Sequence, residues 1–103
     1  MKLSVIVITK NEAAAIGRCL DSVAWADEII VLDSGSDDET VALARSRGAR
    51  VETATDWPGF GPQKNRALAL ARGDWVLSLD ADEWVTEALA TEIRGRLESP
   101  DNA

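Results

Sequence analysis

The sequence contains no histidine and only one cysteine, Cys19. Those two shortages remove whole classes of chemistry. A Ser-His or Cys-His nucleophile pair needs an imidazole base, and the usual zinc sets need histidine or several cysteines. A lone cysteine forms no internal disulfide, which fits a reducing cytoplasm. Positive charge is scarce as well: 11 Lys+Arg against 18 Asp+Glu leave a net charge of −7 and a pI near 4.4. No sequence-wide basic surface is offered to phosphate backbones, so no nucleic-acid partner is expected. The apolar run from Met1 to Thr9 is too short for a membrane span, and Lys10, Asn11 and Glu12 follow it rather than a small-residue cleavage site. Internal repeats and low-complexity tracts are absent too.

What is present suits one α/β domain. The 103 residues are 46% hydrophobic, enough for a single core that buries roughly two thirds of the unfolded surface. Leu3 to Thr9 (LSVIVIT) is nearly all apolar and rich in β-branched residues, as in a central parallel strand covered on both faces. Ala13 to Ala24 places Ile16, Cys19, Leu20 and Val23 on one helical stripe, with Cys19 as core filler. Glu28 to Leu32 (EIIVL) is a second buried strand, and a helix begins near Val41 after the loop DSGSDDET. Gly48 closes that helix, and Ala49 to Thr53 forms a short, charged strand near an edge. Thr55 to Pro62 (TDWPGFGP) holds four of the ten Gly and Pro residues and is a loop. A third helix runs from Pro62 to Arg72, with Gly73 ending it. Trp75 to Leu79 is the fourth strand, and a last amphipathic helix covers about Thr86 to Leu97. Strict alternation of this kind predicts a mostly parallel four-stranded sheet with flanking helices.

In such sheets, ligands gather at the carboxyl ends of the strands. Eight of the 18 acids fall there: Glu12, Asp33, Asp37, Asp38, Glu39, Asp80, Asp82 and Glu83. Carboxylates brought together repel one another, which raises some pKa values unless a cation or hydrogen bonds compensate. A hard divalent metal is a natural remedy, with Asp80 and Asp82 approaching one ion. Taken alone, the Asp80-x-Asp82 pair reads equally as a solvated turn in which Asp82 or Glu83 serves the next helix. Asp33-Ser-Gly-Ser likewise predicts a tight turn at Gly35 with Ser36 or Asp37 capping the second helix, while Asp33 itself points into the cleft. Lys64 and Arg66 sit close enough to contact phosphates or a base if their loop folds over. Trp57 and Trp84 flank the cleft and act either as covering residues or as stacking surfaces.

Three blocks in order, SVIVITKNE, EIIVLDSGSDDET and GPQKNRALALARGDWVLSLDADE, resemble the nucleotide-sugar-binding half of family-2 glycosyltransferases, inverting enzymes of the GT-A fold. QKN followed by WVLSLDADE is most similar to bacterial transferases that build the lipopolysaccharide core. The resemblance implies a truncated, Rossmann-like GT-A half with residues 1–98 as the nucleotide-sugar-binding domain and 99–103 as a disordered tail. It implies that Thr9, Asn11 and Glu12 border the nucleoside and that Asp33 hydrogen-bonds the base, commonly uracil. Lys64 would reach the base or the diphosphate, Asp80 the ribose or donor sugar, and Asp82 an Mg²⁺ or Mn²⁺ ion bridging the diphosphate. The implied partner is a nucleoside-diphosphate sugar, with UDP the expected nucleotide. The implied location is the cytoplasm, at the inner face of the bacterial membrane where the acceptor sits.

Family members are much longer, and their second half supplies the acceptor platform and catalytic base. No base is nominated here, so transfer by these residues alone is not expected, and the fourth strand keeps an apolar edge that favours dimerisation. The alternative is a non-catalytic module of the same class, receiver-like or protein-binding, with an acidic metal pocket. A receiver would show adjacent acids after the first strand and a phosphorylatable Asp after the third, where this sequence has TKNE and VETATDW. A haloacid-dehalogenase phosphatase would carry Asp-x-Asp after the first strand, and a related nucleotidyltransferase a Gly-rich loop there.

Overall fold

The computed structural model describes residues 2–98. The tail expected at 99–103 lies outside the described residues. Eight elements alternate along the chain: β1 (Leu3–Thr9), α1 (Ala13–Asp21), β2 (Glu28–Asp33), α2 (Thr40–Ser46), β3 (Arg50–Thr53), α3 (Phe60–Leu70), β4 (Trp75–Asp80) and α4 (Glu87–Glu98). The sheet has the order β3-β2-β1-β4 and every pairing is parallel. This is the α/β class that the alternation predicts.

The β-branched runs take the middle of the sheet because they can be buried on both faces. Every residue of β2 is buried, as is every residue of β1 except Ile8. Successive side chains point to opposite faces. Val5, Val7, Ile29 and Val31 pack on one side with Ile16, Cys19 and Leu20 of α1, Ala44 of α2 and Ile93 of α4. Ile6, Ile30 and Leu32 pack on the other side with Ala67 of α3. Each such aliphatic side chain contributes about 1.5–3 kcal/mol on full burial, so the two central strands anchor the fold. β4 pairs with β1 alone and leaves Trp75 47% and Val76 38% exposed. β3, as expected, is the opposite edge.

Boundaries differ where local capping overrides periodicity. α1 stops at Asp21 rather than Ala24, because the Ser22 hydroxyl donates to the Cys19 carbonyl and the chain turns there, although Val23 stays in the core. α3 begins at Phe60, two residues before Pro62, and ends at Leu70, with Ala71 already extended. Gly73 is therefore not a helix cap. Its backbone passes so close to β1 that an added Cβ would lie 2.8 Å from the Ser4 nitrogen. Glu28, read only as the start of a strand, anchors that crossing. Its carboxylate is buried and accepts from the Ser4 hydroxyl at 2.8 Å, the Arg72 amide at 2.9 Å and the Arg72 guanidinium at 2.7 Å.

Candidate functional site at the carboxyl edge of the sheet

From β1 the chain steps outward to β2 and β3, then returns to place β4 on the other side. The loops after β1 and β4 diverge at such a reversal and leave a crevice. A cleft of about 530 Å³ opens there, lined by Ile8, Thr9, Lys10, Glu12, Ser34, Trp57, Phe60, Asp80, Ala81 and Asp82. Of the eight acids expected at this rim, Glu12, Asp80 and Asp82 line the cleft.

Thr9 ends β1 only 3% exposed, and its Oγ1 is buried with no hydrogen-bond partner among the described residues. A buried hydroxyl without a partner is unusual, and its register with Asp33 puts it on the face opposite Asp80. Asn11 adopts φ 54°, a left-handed conformation that asparagine tolerates. There its amide donates to Ser36 Oγ at 2.8 Å and its Oδ1 accepts the Asp37 amide at 2.7 Å. The Glu12 amide donates to Thr40 Oγ1 at 2.9 Å, so its carboxylate is free to line the cleft. Asn11 and Glu12 thus tie the first loop to the second.

Asp33 departs from its expected direction. It is 1% exposed, and its carboxylate is turned onto its own loop rather than into the cleft. Oδ2 accepts from the Gly35 and Ser36 amides at 3.0 and 2.8 Å, and Oδ1 accepts from the Ser36 hydroxyl at 2.5 Å. Gly35, at φ +104°, makes the turn. The register explains the direction: Asp33 pairs with Thr9, but Asp80 pairs with Ile8. A one-residue offset sends the two carboxylates to opposite faces of the sheet.

Lys64 comes to 4.0 Å from Asp80 Oδ1 and lies over the Phe60 ring. Arg66, expected to be available to phosphates, is instead clamped by Asp56 at 3.0 and 2.7 Å and by Gln63 Oε1 at 3.1 Å. Trp57 packs edge-to-face on Phe60 at 5.6 Å, and both line the cleft, whereas Trp84 does not. The cap of α2 is a further correction. Neither Ser36 nor Asp37 serves it; Asp38 Oδ1 accepts the Thr40 amide at 3.0 Å, and the Thr40 hydroxyl also donates to it. Those bonds, the hydroxyl's first, hold the Asp38 carboxyl below its ordinary value, so hydrogen bonds here supply the compensation that neighbouring acids require. Glu83 is also spent locally, with Oε1 accepting the Asp80 amide at 2.7 Å. Sequence reasoning missed Gln63, which is fully buried and donates to Ser34 Oγ at 3.1 Å. Its place within QKN was the available signal.

Negative potential persists at the Asp-x-Asp turn. The buried Cys19 thiol is pushed up to about 11, first by desolvation and then by Glu83, Asp82 and Asp80. Among the described residues no three His, Cys, Asp or Glu side chains converge to hold a metal by themselves. Asp80 and Asp82 supply hard oxygen donors at the cleft mouth, which fits a divalent cation only when ligand oxygens and water complete its shell.

A model of glycosyl transferase family 2 matches residues 4–103. The chain belongs to that family. It is 47% identical over 93 residues to an uncharacterized glycosyltransferase of Rickettsia bellii, covering 89% of this chain and 31% of the relative. It is 37% identical to the lipopolysaccharide core biosynthesis glycosyltransferase LpsC of Rhizobium meliloti, covering 86% and 34% of the two chains. Among solved structures, S. aureus TarS 1-349 superposes with a TM-score of 0.81 at 30% identity, covering 96% of this chain and 33% of TarS. Glucosyl-3-phosphoglycerate synthase from Mycobacterium tuberculosis, in complex with Mn²⁺, UDP and glucosyl-3-phosphoglycerate, gives 0.77 at 34% identity over 93% and 39% of the chains. The chain thus spans about a third of the length of these relatives. Family membership removes the receiver-like reading.

Proposed function

We propose that this chain holds a nucleoside-diphosphate sugar, with UDP as the nucleotide, together with a divalent cation, as the donor-binding part of an inverting glycosyltransferase. The observation that carries the reading is a single cleft lined by Thr9, Lys10 and Glu12 from the first loop and by Asp80 and Asp82 from the fourth, with Lys64 beside Asp80. Thr9, Asn11 and Glu12 border the nucleoside. Asn11 fixes the loop beside it, and Glu12 offers a carboxylate to sugar hydroxyls. Asp33, buried and bonded to the Gly35 and Ser36 amides and the Ser36 hydroxyl, shapes the second loop rather than meeting the base. Lys64, beside Asp80, brings positive charge to the diphosphate side, and Asp80 faces the ribose or donor sugar. Asp82 would hold Mg²⁺ or Mn²⁺, which when bound acts as a Lewis acid for the departing nucleoside diphosphate. The Mn²⁺ and UDP in the synthase structure support this assignment.

Inversion needs a base to take the acceptor hydroxyl proton, and we assign none to these residues. Donor binding without transfer is the expected behaviour of the isolated chain. The kinship with LpsC supports a lipopolysaccharide-core glycan as acceptor, used in the cytoplasm at the inner membrane face; no helix among the described residues is long and apolar enough to cross a membrane. An apolar groove of about 400 Å³ between β4 and α4, beside exposed Trp75 and Val76, supports self-association of the isolated chain along this edge. Calorimetry tests the central reading. UDP should bind with Mn²⁺ present and lose that affinity in Asp82→Ala, whereas equal binding in chelator would remove the metal from the proposal.

A further inference from the structure

The Asp80–Glu83 turn is fastened at both ends but not in the middle. Ala81 and Val85 are buried, the Val85 amide donates to Ser22 Oγ at 2.9 Å, and the Cys19 thiol approaches the Asp80 carbonyl at 3.7 Å. Every one of those partners belongs to α1 or the residue that follows it. Between the anchors, Asp82 and Glu83 are exposed, and the Glu83 carboxylate is folded back on Asp80. The remaining handle is Trp84, 48% exposed and therefore weakly held by burial. Its ring is covered by Arg18, whose Cζ lies 3.6 Å from the ring centroid, far closer than the other two cation–π contacts at 5.7 and 5.8 Å. Among the described residues Arg18 makes no ion pair, although acids outnumber bases in the chain. An arginine stacked on an indole rather than paired with a carboxylate holds a flat, directional contact rather than a diffuse one.

We propose that Arg18 is a positioning residue: by clamping Trp84 onto α1, it fixes the direction in which Asp82 faces the cleft. α1 then does two jobs with one rigid body. Its amino end follows the Thr9–Glu12 wall of the cleft, and its last turns hold the Asp82 wall. This inference rests on the donor-binding reading for its consequence but not for its geometry, so the two can fail separately.

The test uses the chain as it is, in three forms: wild type, Arg18→Ala and Arg18→Lys. Amide hydrogen exchange reads the clamp without any ligand. The Glu83 amide, bonded to the Asp80 carbonyl at 2.9 Å, should exchange several-fold faster in Arg18→Ala while amides of β1 and β2 keep their protection. Calorimetry with UDP and Mn²⁺ reads the consequence: affinity should fall about three- to fivefold, the size of an exposed cation–π contact, with metal-free UDP binding unmoved. Arg18→Lys should restore part of both effects. Unchanged Glu83 exchange overturns the proposal, and so does faster exchange with unaltered Mn²⁺-dependent affinity. A fall in metal-dependent and metal-free binding together overturns it as well, since that marks general loosening. If the wild type binds no UDP while Glu83 still loosens in Arg18→Ala, the clamp stands and the donor reading falls.

Discussion

At the amino edge of the sheet the Glu28 carboxylate is buried and takes three donors, from Ser4 and twice from Arg72. At the carboxyl edge Asp80 and Asp82 stand at a cleft mouth, and the buried hydroxyl of Thr9 has no partner among the described residues. One rim completes its buried polar groups internally, whereas the other leaves one of them, Thr9 Oγ1, unpaired and keeps Asp80 and Asp82 at an open cleft. Buried polar groups are normally satisfied, so the difference separates the rim that holds the fold together from the rim kept for a ligand.

The largest effects on stability should come from the amino edge. Gly73→Ala forces a Cβ against the Ser4 backbone and hydroxyl, both at 2.8 Å, and against the Leu3 carbonyl carbon at 3.1 Å. Neither backbone atom can step aside cheaply, so we expect a loss of about 3 kcal/mol in urea unfolding. Glu28→Gln keeps the shape but removes the charge from two bonds to Arg72, for a loss of about 2 kcal/mol. The same group sets a pH dependence. Burial pushes the Glu28 carboxyl up, but bonds from the Arg72 amide, Ser4 hydroxyl and Arg72 guanidinium outweigh it and leave the group below its ordinary 4.5. A depressed folded-state value means the contribution is complete above the unfolded value and is lost as pH falls through the folded one. Thermal midpoints should therefore drop as pH goes below about 4.5, and Glu28→Gln should flatten that drop. An identical acid slope in wild type and variant would show that the amino edge is not held by this carboxylate.

Legibility in the sequence followed the same division. β1 and β2 were plain because β-branched runs buried on both faces leave few other readings, and the parallel order followed from alternation. The acids at the ends of those strands were equally visible. Their directions were not, since direction depends on register: Thr9 with Asp33 but Ile8 with Asp80 is a fact of strand pairing, absent from either segment alone. Asp33 had two local amides within reach, and a short Asp-Ser-Gly-Ser turn satisfies the carboxylate before any cleft can. Glu28, Ser4, Arg72 and Gly73 escaped notice because their contacts join residues 24 to 69 positions apart. Arg18 and Trp84, 66 positions apart along the numbering, meet only once α1 and the β4 loop share a face.

At the carboxyl edge the expected effects shift from folding to binding. Asp82 is exposed and makes no hydrogen bond or ion pair within the described residues, so Asp82→Asn should leave stability within about 0.5 kcal/mol of wild type. Mn²⁺-dependent UDP affinity should nevertheless fall at least about tenfold, because the hard anionic donor is gone. A large stability loss in Asp82→Asn would make the two rims alike and undo the contrast.

The smallest and sharpest prediction concerns Thr9→Val. A methyl replaces the Thr9 hydroxyl at nearly constant volume, in a position where Oγ1 is buried without a partner. Removing an unsatisfied buried polar atom should raise stability by about 1 kcal/mol, the reverse of the usual outcome for a change in the core. If that hydroxyl exists for the ligand, the same substitution should weaken UDP binding about threefold through one lost neutral hydrogen bond. A site shaped by folding alone predicts the stability gain without the binding loss, and a hydroxyl with a hidden structural partner predicts a stability loss. Only a ligand-directed group moves the two measurements in opposite directions, so urea unfolding and calorimetry on this single variant decide between the three.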